Sequence, residues 1–173
     1  MAERTLGDLL DNFQHEAFRL ETLDDYSRSG SVDAVRLSPD GQPKPADYNA
    51  DWCAEVGEHV ATGRRMYRVH VLARPLTPRL RFEPGWGYVT NATAGEEFFI
   101  LDVTDRPPPL PSDVGDFWLV DSTTAAPVRY SDDSKFLGAD VLPDDQGERY
   151  AAYRDTALAH AVPFADWWAT HAQ

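Results

Sequence analysis

The sequence predicts a single α+β domain over residues 1–173, with a mixed, mostly antiparallel sheet of about five strands and helices packed on it. Two observations lead to this class. Apolar residues recur at helical spacing near both ends of the chain, whereas the middle alternates apolar and polar residues or forms short apolar runs. The length of 173 residues suits one domain with its own hydrophobic core.

The N-terminal quarter predicts a helix, a short extended segment and a loop. Thr5 can cap an amphipathic helix near residues 6–14. The segment "EAFRLETLDDY" alternates Phe18 and Leu20 with charged neighbours, which suits either a short strand or an extended arm on the core. Ser, Gly, Asp and Pro then predominate, so we expect a surface loop over 27–49.

A helix and a strand are predicted next. Apolar residues on one helical face predict a helix from about 50 to 62. The segment "RRMYRVHVLARP" alternates and predicts a strand in which Arg68 and His70 share a face. Thr77 can cap a further helix, which Pro84 then interrupts.

The second half of the chain predicts the remaining strands and the C-terminal helices. "EEFFILDV" is a second apolar strand, and a Pro-rich connector over 105–115 follows it. "DFWLVD", "PVRYS" and "KFLGADVL" are separated by turn residues and predict an antiparallel meander. An apolar stripe from Tyr150 to Ala161 predicts a helix, and Pro163 starts a final short helix.

The charge of the chain disfavours several classes of partner. The 29 acidic and 16 basic residues give a formal net charge of -13, which repels phosphate backbones and anionic lipid headgroups. We therefore expect no direct binding to nucleic acid or membranes. The N-terminus has no continuous apolar run of the signal-peptide kind, and no stretch approaches the length of a membrane span, which predicts a cytoplasmic protein.

Sequence motifs of common enzymes are missing. No GxSxG, GxxxxGK[ST] or GxGxxG motif is present, and none of the 5 histidines has the HxH or HExxH spacing of a metal site. Cys53 is the single cysteine, and the neighbouring Asp51 and Glu55 oppose a thiolate. The sequence thus predicts no catalytic residues, no metal and no cofactor.

Two carboxylates bracket the apolar strand "DFWLVD". Asp116 and Asp121 are five positions apart and project from opposite faces, so they cannot act together as an acid and a base. Asp121 precedes Ser122 and Thr123 and can start a turn, whereas Asp116 has no evident role. The residues that we predict to bind a ligand or partner are Arg68, His70, Trp86, Asp116, Trp118 and Asp121.

Several segments together resemble an uncharacterised actinobacterial family, domain of unknown function 6879. They are "EAFRLETLDDY", "RRMYRVHVLARPLTPRLRFE", "NATAGEEFFIL", "DFWLVD" and "YRDTALAHAVPFADW", so the resemblance covers nearly the whole chain. It implies no established activity. It does imply a regulatory setting, near Xre-type helix-turn-helix regulators.

A more distant resemblance is to the phospholipase D-like half-domain. The shared order is a strand such as "RVHVLA", a helix, a strand such as "EEFFIL" and a strand that ends in Asp, here "DFWLVD". With that Asp placed at Asp121, the His and Lys of the HxKxxxxD motif correspond to Val114 and Asp116. The resemblance therefore implies a scaffold without the catalytic His and Lys.

Two hypotheses of function follow. The first is a non-enzymatic regulatory or interaction domain, which acts with a helix-turn-helix regulator or senses a small ligand; its acidic surface suits a basic partner. The alternative is a small enzyme of unrecognised type that uses His70, Arg68 and a carboxylate. The sequence identifies neither the ligand, nor the partner, nor the oligomeric state.

Overall fold

The computed structural model describes residues 3–23, 50–77 and 88–171. Within these ranges the chain forms one mixed sheet with helices packed on it, so the predicted α+β class is confirmed. The predicted strand number is wrong, because the sheet has seven strands rather than about five. The loop predicted over 27–49 and the part of the broken helix that covers 78–87 lie outside the described residues.

The elements are numbered here in chain order. The strands are β1 Glu16–Glu21, β2 Arg65–Leu72, β3 Glu97–Asp102, β4 Phe117–Val120, β5 Thr124–Tyr130, β6 Phe136–Ala139 and β7 Val162–Pro163. The helices are α1 Leu6–Asn12, α2 Ala50–Ala61, α3 Val89–Ala94, α4 Gly147–His160 and α5 Phe164–His171. A 3₁₀ turn, Asp144–Gln146, leads into α4.

The strand order is β6-β5-β4-β1-β2-β3-β7. The three central strands β1, β2 and β3 are parallel, and α2 and α3 lie in the connections between them. Parallel neighbours need such crossover connections, because the chain must return to the same end of the sheet. β4, β5 and β6 form the predicted antiparallel meander, and β7 adds a short antiparallel edge to β3.

The segment predicted as a strand or an arm is the central strand β1. It pairs with β2 on one side and with β4 on the other. Phe18 and Leu20 on one face are fully buried. Arg19 and Glu21 project from the other face, and Glu21 is buried as well. The charged positions made the segment resemble a surface arm, whereas the folded sheet encloses them.

Helices cover both faces of the sheet. α4 packs against the face that carries Phe18 and Leu119, and this face is called the α4 face below. α1 and α2 pack on the opposite face, the α2 face, where Val56 contacts the cluster around Met66 and Trp118. Burial of each large apolar side chain contributes about 1.5–3 kcal/mol. The fold therefore has a hydrophobic core on each side of one sheet.

Two terminal helices complete these cores. α1 begins at the predicted cap, where Thr5 Oγ1 accepts from the amide of Asp8 at 3.1 Å and the Asp8 carboxylate accepts from the amide of Thr5 at 2.9 Å. The helix ends at Asn12, two residues earlier than predicted, because Phe13 has extended backbone angles. α5 adds Phe164 and Trp167 to the α2 side of β3. No helix in residues 3–23, 50–77 or 88–171 is long and apolar enough to cross a membrane.

The contact between α4 and the β4–β5 turn leads to a prediction. A Cβ at Gly147, the first residue of α4, would lie 1.8 Å from the carbonyl oxygen of Thr123. We expect Gly147→Ala to lower the free energy of unfolding by about 1–3 kcal/mol, because backbone must move to admit the methyl group. Chemical denaturation would measure the change.

Gly57→Ala is the matched control. Gly57 lies inside α2, and a Cβ there would meet no atom within 4 Å. Replacement of a helical Gly in open space should raise the free energy of unfolding by about 0.5–1 kcal/mol. An unchanged stability of the Gly147 variant would contradict the tight packing of α4 on the turn.

Candidate functional site

Charged side chains meet at the centre of the α2 face. Arg19 lies opposite Arg68 in the β1–β2 register, and Glu21 lies opposite His70. Alternate residues of a strand project from the same face, so these four side chains form two adjacent rows. Further polar side chains contact them from neighbouring elements. The buried ionic cluster, as it is called below, comprises Arg19, Glu21, Arg68, His70, Tyr88, Glu96, Asp116 and Tyr130.

Arg68 lies at the centre of the buried ionic cluster. Its Nε donates to Glu96 Oε1 at 2.7 Å, and a second guanidinium nitrogen donates to the same oxygen. The third nitrogen donates to Glu21. Trp52 of α2 donates from Nε1 to the other Glu96 oxygen at 3.0 Å. The carboxylates of Glu21 and Glu96 are only 4% and 2% exposed, so this is a desolvated triad.

Glu21 and Arg68 stay charged although they are buried. Burial alone raises the pKa of Glu21, but the electrostatic effect of Arg68, with smaller contributions from His70 and Arg19, outweighs burial and lowers the pKa to about 2. Burial likewise lowers the pKa of Arg68, and the negative charges of Glu96 and Glu21 outweigh it and raise that pKa above its ordinary value. Glu21 and Arg68 are therefore each held in the charged form by neighbouring charges.

His70 is fully buried, and both ring nitrogens make hydrogen bonds. Nε2 lies 3.0 Å from the carbonyl oxygen of Leu23, so Nε2 carries a hydrogen and donates it. Nδ1 contacts the hydroxyl of Tyr88, and that hydroxyl also lies 3.2 Å from Glu21 Oε2. The single hydroxyl hydrogen can serve Nδ1 or the carboxylate, but not both. Tyr88 therefore bridges the imidazole of His70 and the carboxylate of Glu21.

Asp116, whose role the sequence left open, joins the end of β1 to the meander. Its carboxylate is fully buried. Oδ1 accepts from the amide and the hydroxyl of Thr22 at 2.8 Å and 2.7 Å. Oδ2 accepts from Arg19 at 3.2 Å and from the Tyr130 hydroxyl at 3.3 Å. Burial is the largest effect and raises the pKa of Tyr130 to about 12. The positive charge of Arg19 lowers this pKa, and the negative charge of Asp116 raises it.

Asp121 lies at the other end of β4 and has a different environment. Its carboxylate accepts from the amides of Gln14, His15 and Glu16 at 2.9 Å, 2.7 Å and 3.1 Å. Burial alone raises the pKa of Asp121, but these three backbone donors outweigh it and lower the pKa. With a φ of 51°, Asp121 forms part of the β4–β5 turn. The structure thus places Asp116 and Asp121 at opposite ends of one strand.

The remaining predicted residues differ in how they relate to the cluster. Trp118 is buried on the α2 face, where the guanidinium of Arg19 lies 5.3 Å from its ring centre. Arg68, His70 and Asp116 belong to the buried ionic cluster, as described above. Trp86 lies outside the described residues.

Sequence reasoning missed five members of the cluster: Arg19, Glu21, Tyr88, Glu96 and Tyr130. A usable signal existed for two of them. The segment "AFRLE" places Arg19 and Glu21 two positions apart in an otherwise apolar strand, with the same spacing as Arg68 and His70 in "MYRVHV". When the two strands pair in register, these four residues lie on one face, which brings Arg68 close to Glu21.

Two cavities lie near the carboxyl ends of the parallel strands. The apolar cavity, about 320 Å³, is bounded by Thr22 after β1, Val71 of β2, Leu101 of β3, residues 108–112 and Val114. The polar cavity, about 380 Å³, includes Asp102, and its further lining residues include Arg74, Asp105, Arg106, His160, Trp167 and His171.

The polar side chains of the polar cavity largely bind one another. The Asp102 carboxylate accepts from Arg74 at 2.7 Å and from the indole of Trp167 at 3.0 Å. Arg106 donates to the carbonyl oxygen of His160 at 2.7 Å and so caps α4. In the part of the chain that the structure describes, no group of three or more His, Cys, Asp or Glu side chains is placed to hold a metal ion.

Comparison with known proteins identifies a family and no function. The family model described as "Domain of unknown function (DUF6879)" matches residues 4–169, nearly the entire chain. No curated protein matches the sequence. This result concerns the family and does not bear on the phospholipase D-like resemblance.

The charged triad around Arg68 leads to a prediction about stability. We expect Glu21→Gln to lower the free energy of unfolding at pH 7 by about 3–5 kcal/mol, because it leaves a buried cation without one of its anions. The matched control is Glu97→Gln, which breaks an Arg65–Glu97 pair that is about half exposed and should cost less than about 1 kcal/mol.

The effect of Glu21→Gln on stability should also depend on pH. The pKa of Glu21 falls from 4.5 to about 2 on folding. Between these values the unfolded state binds the proton first, so the stability from Glu21 is complete above 4.5 and lost as the pH falls toward 2. Denaturation at several pH values should give a shallower acid dependence for Glu21→Gln than for the unsubstituted protein. Equal slopes would contradict an ionised Glu21 in the core.

Proposed function

We propose that this chain, which belongs to the DUF6879 family, is a non-catalytic domain that senses a small, mostly apolar ligand in the apolar cavity. The observation that carries the proposal is the position of that cavity at the carboxyl ends of β1, β2 and β3. Thr22, Val71 and Leu101 bound it there. In sheets with parallel strands, ligands bind beyond this end of the strands, because the connections leave a crevice there.

The lining of the cavity suggests the chemical class of the ligand. Val71, Leu101 and Val114 are apolar, and Pro108 to Pro111 adds three prolines and a leucine. The hydroxyls of Thr22 and Ser112 are the polar side-chain groups of this lining. Among the described residues no charged side chain lines the cavity, so an uncharged ligand with one or two hydrogen-bonding groups fits best. The volume of about 320 Å³ is near the lower end for ligand sites, which favours a small molecule.

The state of the ionisable groups favours binding over catalysis. Glu21, Glu96 and Arg68 neutralise one another in the core, and His70 uses both ring nitrogens in hydrogen bonds. A general acid or base must approach the substrate to within about 2.6–3.2 Å, directly or through one water. Fully buried groups that already have partners suit a structural role better.

Thr22 joins the apolar cavity to the buried ionic cluster, which supports a sensing role. Thr22 lines the cavity and donates two hydrogen bonds to Asp116, which in turn binds Arg19 and Tyr130. A ligand that displaces the Thr22 side chain would alter these bonds. A ligand can shift a conformational equilibrium only through such differential contacts.

The regulatory part of the hypothesis stays a prediction. A helix-turn-helix regulator would present basic surfaces, and a chain with a net charge of -13 is suited to bind such a partner. Asp116 is fully buried and thus a poor docking residue. Direct contact would instead use exposed acidic side chains.

The alternative function is an enzyme that uses His70, Arg68 and a carboxylate. The observation in its favour is that Tyr88 connects the imidazole of His70 to Glu21, which provides a route for a proton. It requires an opening to the imidazole, which is 0% exposed. If substrates of an assayed reaction were turned over and His70→Gln abolished turnover without unfolding the protein, the alternative would replace the binding proposal.

Ligand binding is tested by thermal shift and calorimetry with a set of neutral, mostly apolar fragments. We expect saturable stabilisation, which amounts to about 2.7 kcal/mol when the free ligand exceeds Kd one hundredfold. Val114→Phe should abolish it, because the larger ring fills the apolar cavity. Val128→Phe is the matched control, since Val128 packs in the core of the α2 face and should leave binding intact. Equal binding by both variants would refute this site.

A further inference from the structure

The polar cavity lies beside the carboxyl ends of β2 and β3. Arg74 follows β2 and Asp102 ends β3, while α4 and α5 contribute His160, Trp167 and His171 to the lining. Space beyond this end of parallel strands is a common place for ligands. The Asp102 carboxylate already binds Arg74 and the indole of Trp167, so a ligand here has to use other groups of the lining.

Arg106 supplies a positive charge to the polar cavity. Its Nε donates to the carbonyl oxygen of Asp102 at 3.1 Å, and a terminal nitrogen donates to that of His160 at 2.7 Å. Among the described residues no carboxylate forms an ion pair with this guanidinium. A guanidinium has five N–H donors, so enough remain for the two parallel hydrogen bonds with which arginine binds a carboxylate.

Asp105 supplies a negative charge next to Arg106 in the chain. Its carboxylate is 89% exposed, and within the described residues its ion pair is a long one, with a terminal nitrogen of Arg74 at 3.4 Å. Arg74 forms the shorter pair with Asp102, at 2.7 Å. The Asp105 carboxylate therefore has capacity to accept hydrogen bonds from a cationic group of a ligand. The polar cavity thus offers both signs of charge.

Two imidazoles add hydrogen-bond acceptors. Nδ1 of His160 lies 2.9 Å from the carbonyl oxygen of Thr156, and Nδ1 of His171 lies 2.9 Å from that of Trp167. A carbonyl oxygen only accepts, so each Nδ1 carries the hydrogen, and each neutral ring has its lone pair on Nε2. In the part of the chain that the structure describes, neither Nε2 has a hydrogen-bond partner. Each can accept from an N–H group of a ligand.

We propose that the polar cavity binds a zwitterionic α-amino acid. Arg106 binds its carboxylate, and Asp105 and the imidazoles accept from its ammonium group. The two arginines and two aspartates of the lining cancel in charge, so a ligand that carries both charges suits the cavity better than a simple anion. Ile100, Val162 and Trp167 offer apolar surface to the side chain of the amino acid.

The size and place of the polar cavity agree with such a ligand. Its volume of about 380 Å³ is near the lower end for ligand sites, which suits a single amino acid. It shares no lining residue with the apolar cavity. The proposal therefore does not depend on a ligand in the apolar cavity.

Calorimetric titration of the full chain with three related probes tests the proposal. Phenylalanine carries both charges, 3-phenylpropionate lacks the ammonium group, and phenethylamine lacks the carboxylate. We expect saturable binding of phenylalanine and at least about tenfold weaker binding of the other two, because each loses hydrogen bonds between charged groups. Failure of phenylalanine to bind, or an equal Kd for 3-phenylpropionate, would overturn the proposal.

Substitutions locate the binding site. Arg106→Gln and Asp105→Asn should each raise the Kd for phenylalanine about tenfold or more. The matched controls Arg149→Gln and Asp113→Asn remove the same charges at exposed residues outside the polar cavity and should leave the Kd unchanged. Unchanged binding by an Arg106→Gln variant whose fold is verified by circular dichroism would overturn the proposal. Loss of binding in Val114→Phe would place the probe in the apolar cavity and would overturn it as well.

Discussion

The ion triad around Arg68 is the constraint on which the arrangement of the sheet depends. A guanidinium in the core is tolerated only when carboxylates compensate for its lost hydration. Those carboxylates come from Glu21 at the end of β1 and Glu96 just before β3. Both neighbours of β2 are therefore held in register by one side chain. A shift of one residue would turn Arg68 to the α4 face, among apolar residues without an anion.

The triad also positions α2 and Tyr88, which lie on the α2 face of the sheet. Trp52 of α2 donates to Glu96, so the helix is oriented by a polar contact as well as by apolar packing. Tyr88 bonds to both His70 and Glu21 while its ring stacks on Phe98 at 4.3 Å. The charges of the buried ionic cluster thus bind one another inside the fold, whereas the apolar and the polar cavity both lie near the ends of the strands.

Sequence reasoning succeeded where local periodicity decides the structure. The helices α1, α2 and α4 and the strands from β2 to β6 follow from the spacing of apolar residues. Sequence reasoning did not predict β7, because Val162 and Pro163 form a strand only by pairing with Phe99 and Ile100. Sequence reasoning also left β1 as either a strand or an extended arm. Its charged residues suggest a surface position unless their buried partners are known.

Part of the candidate site was predictable, namely the residues that lie close together in the sequence. Arg68 and His70 stood out because they share a face of one strand. Asp116 had no interpretation, because its partner Arg19 lies 97 residues earlier in the chain. The sequence by itself determined the elements, the acidic character and the apolar faces, since these depend on neighbouring residues. Only the tertiary structure decided which charges are buried together and where the sheet ends, because ion pairing and strand order depend on contacts between distant parts of the chain.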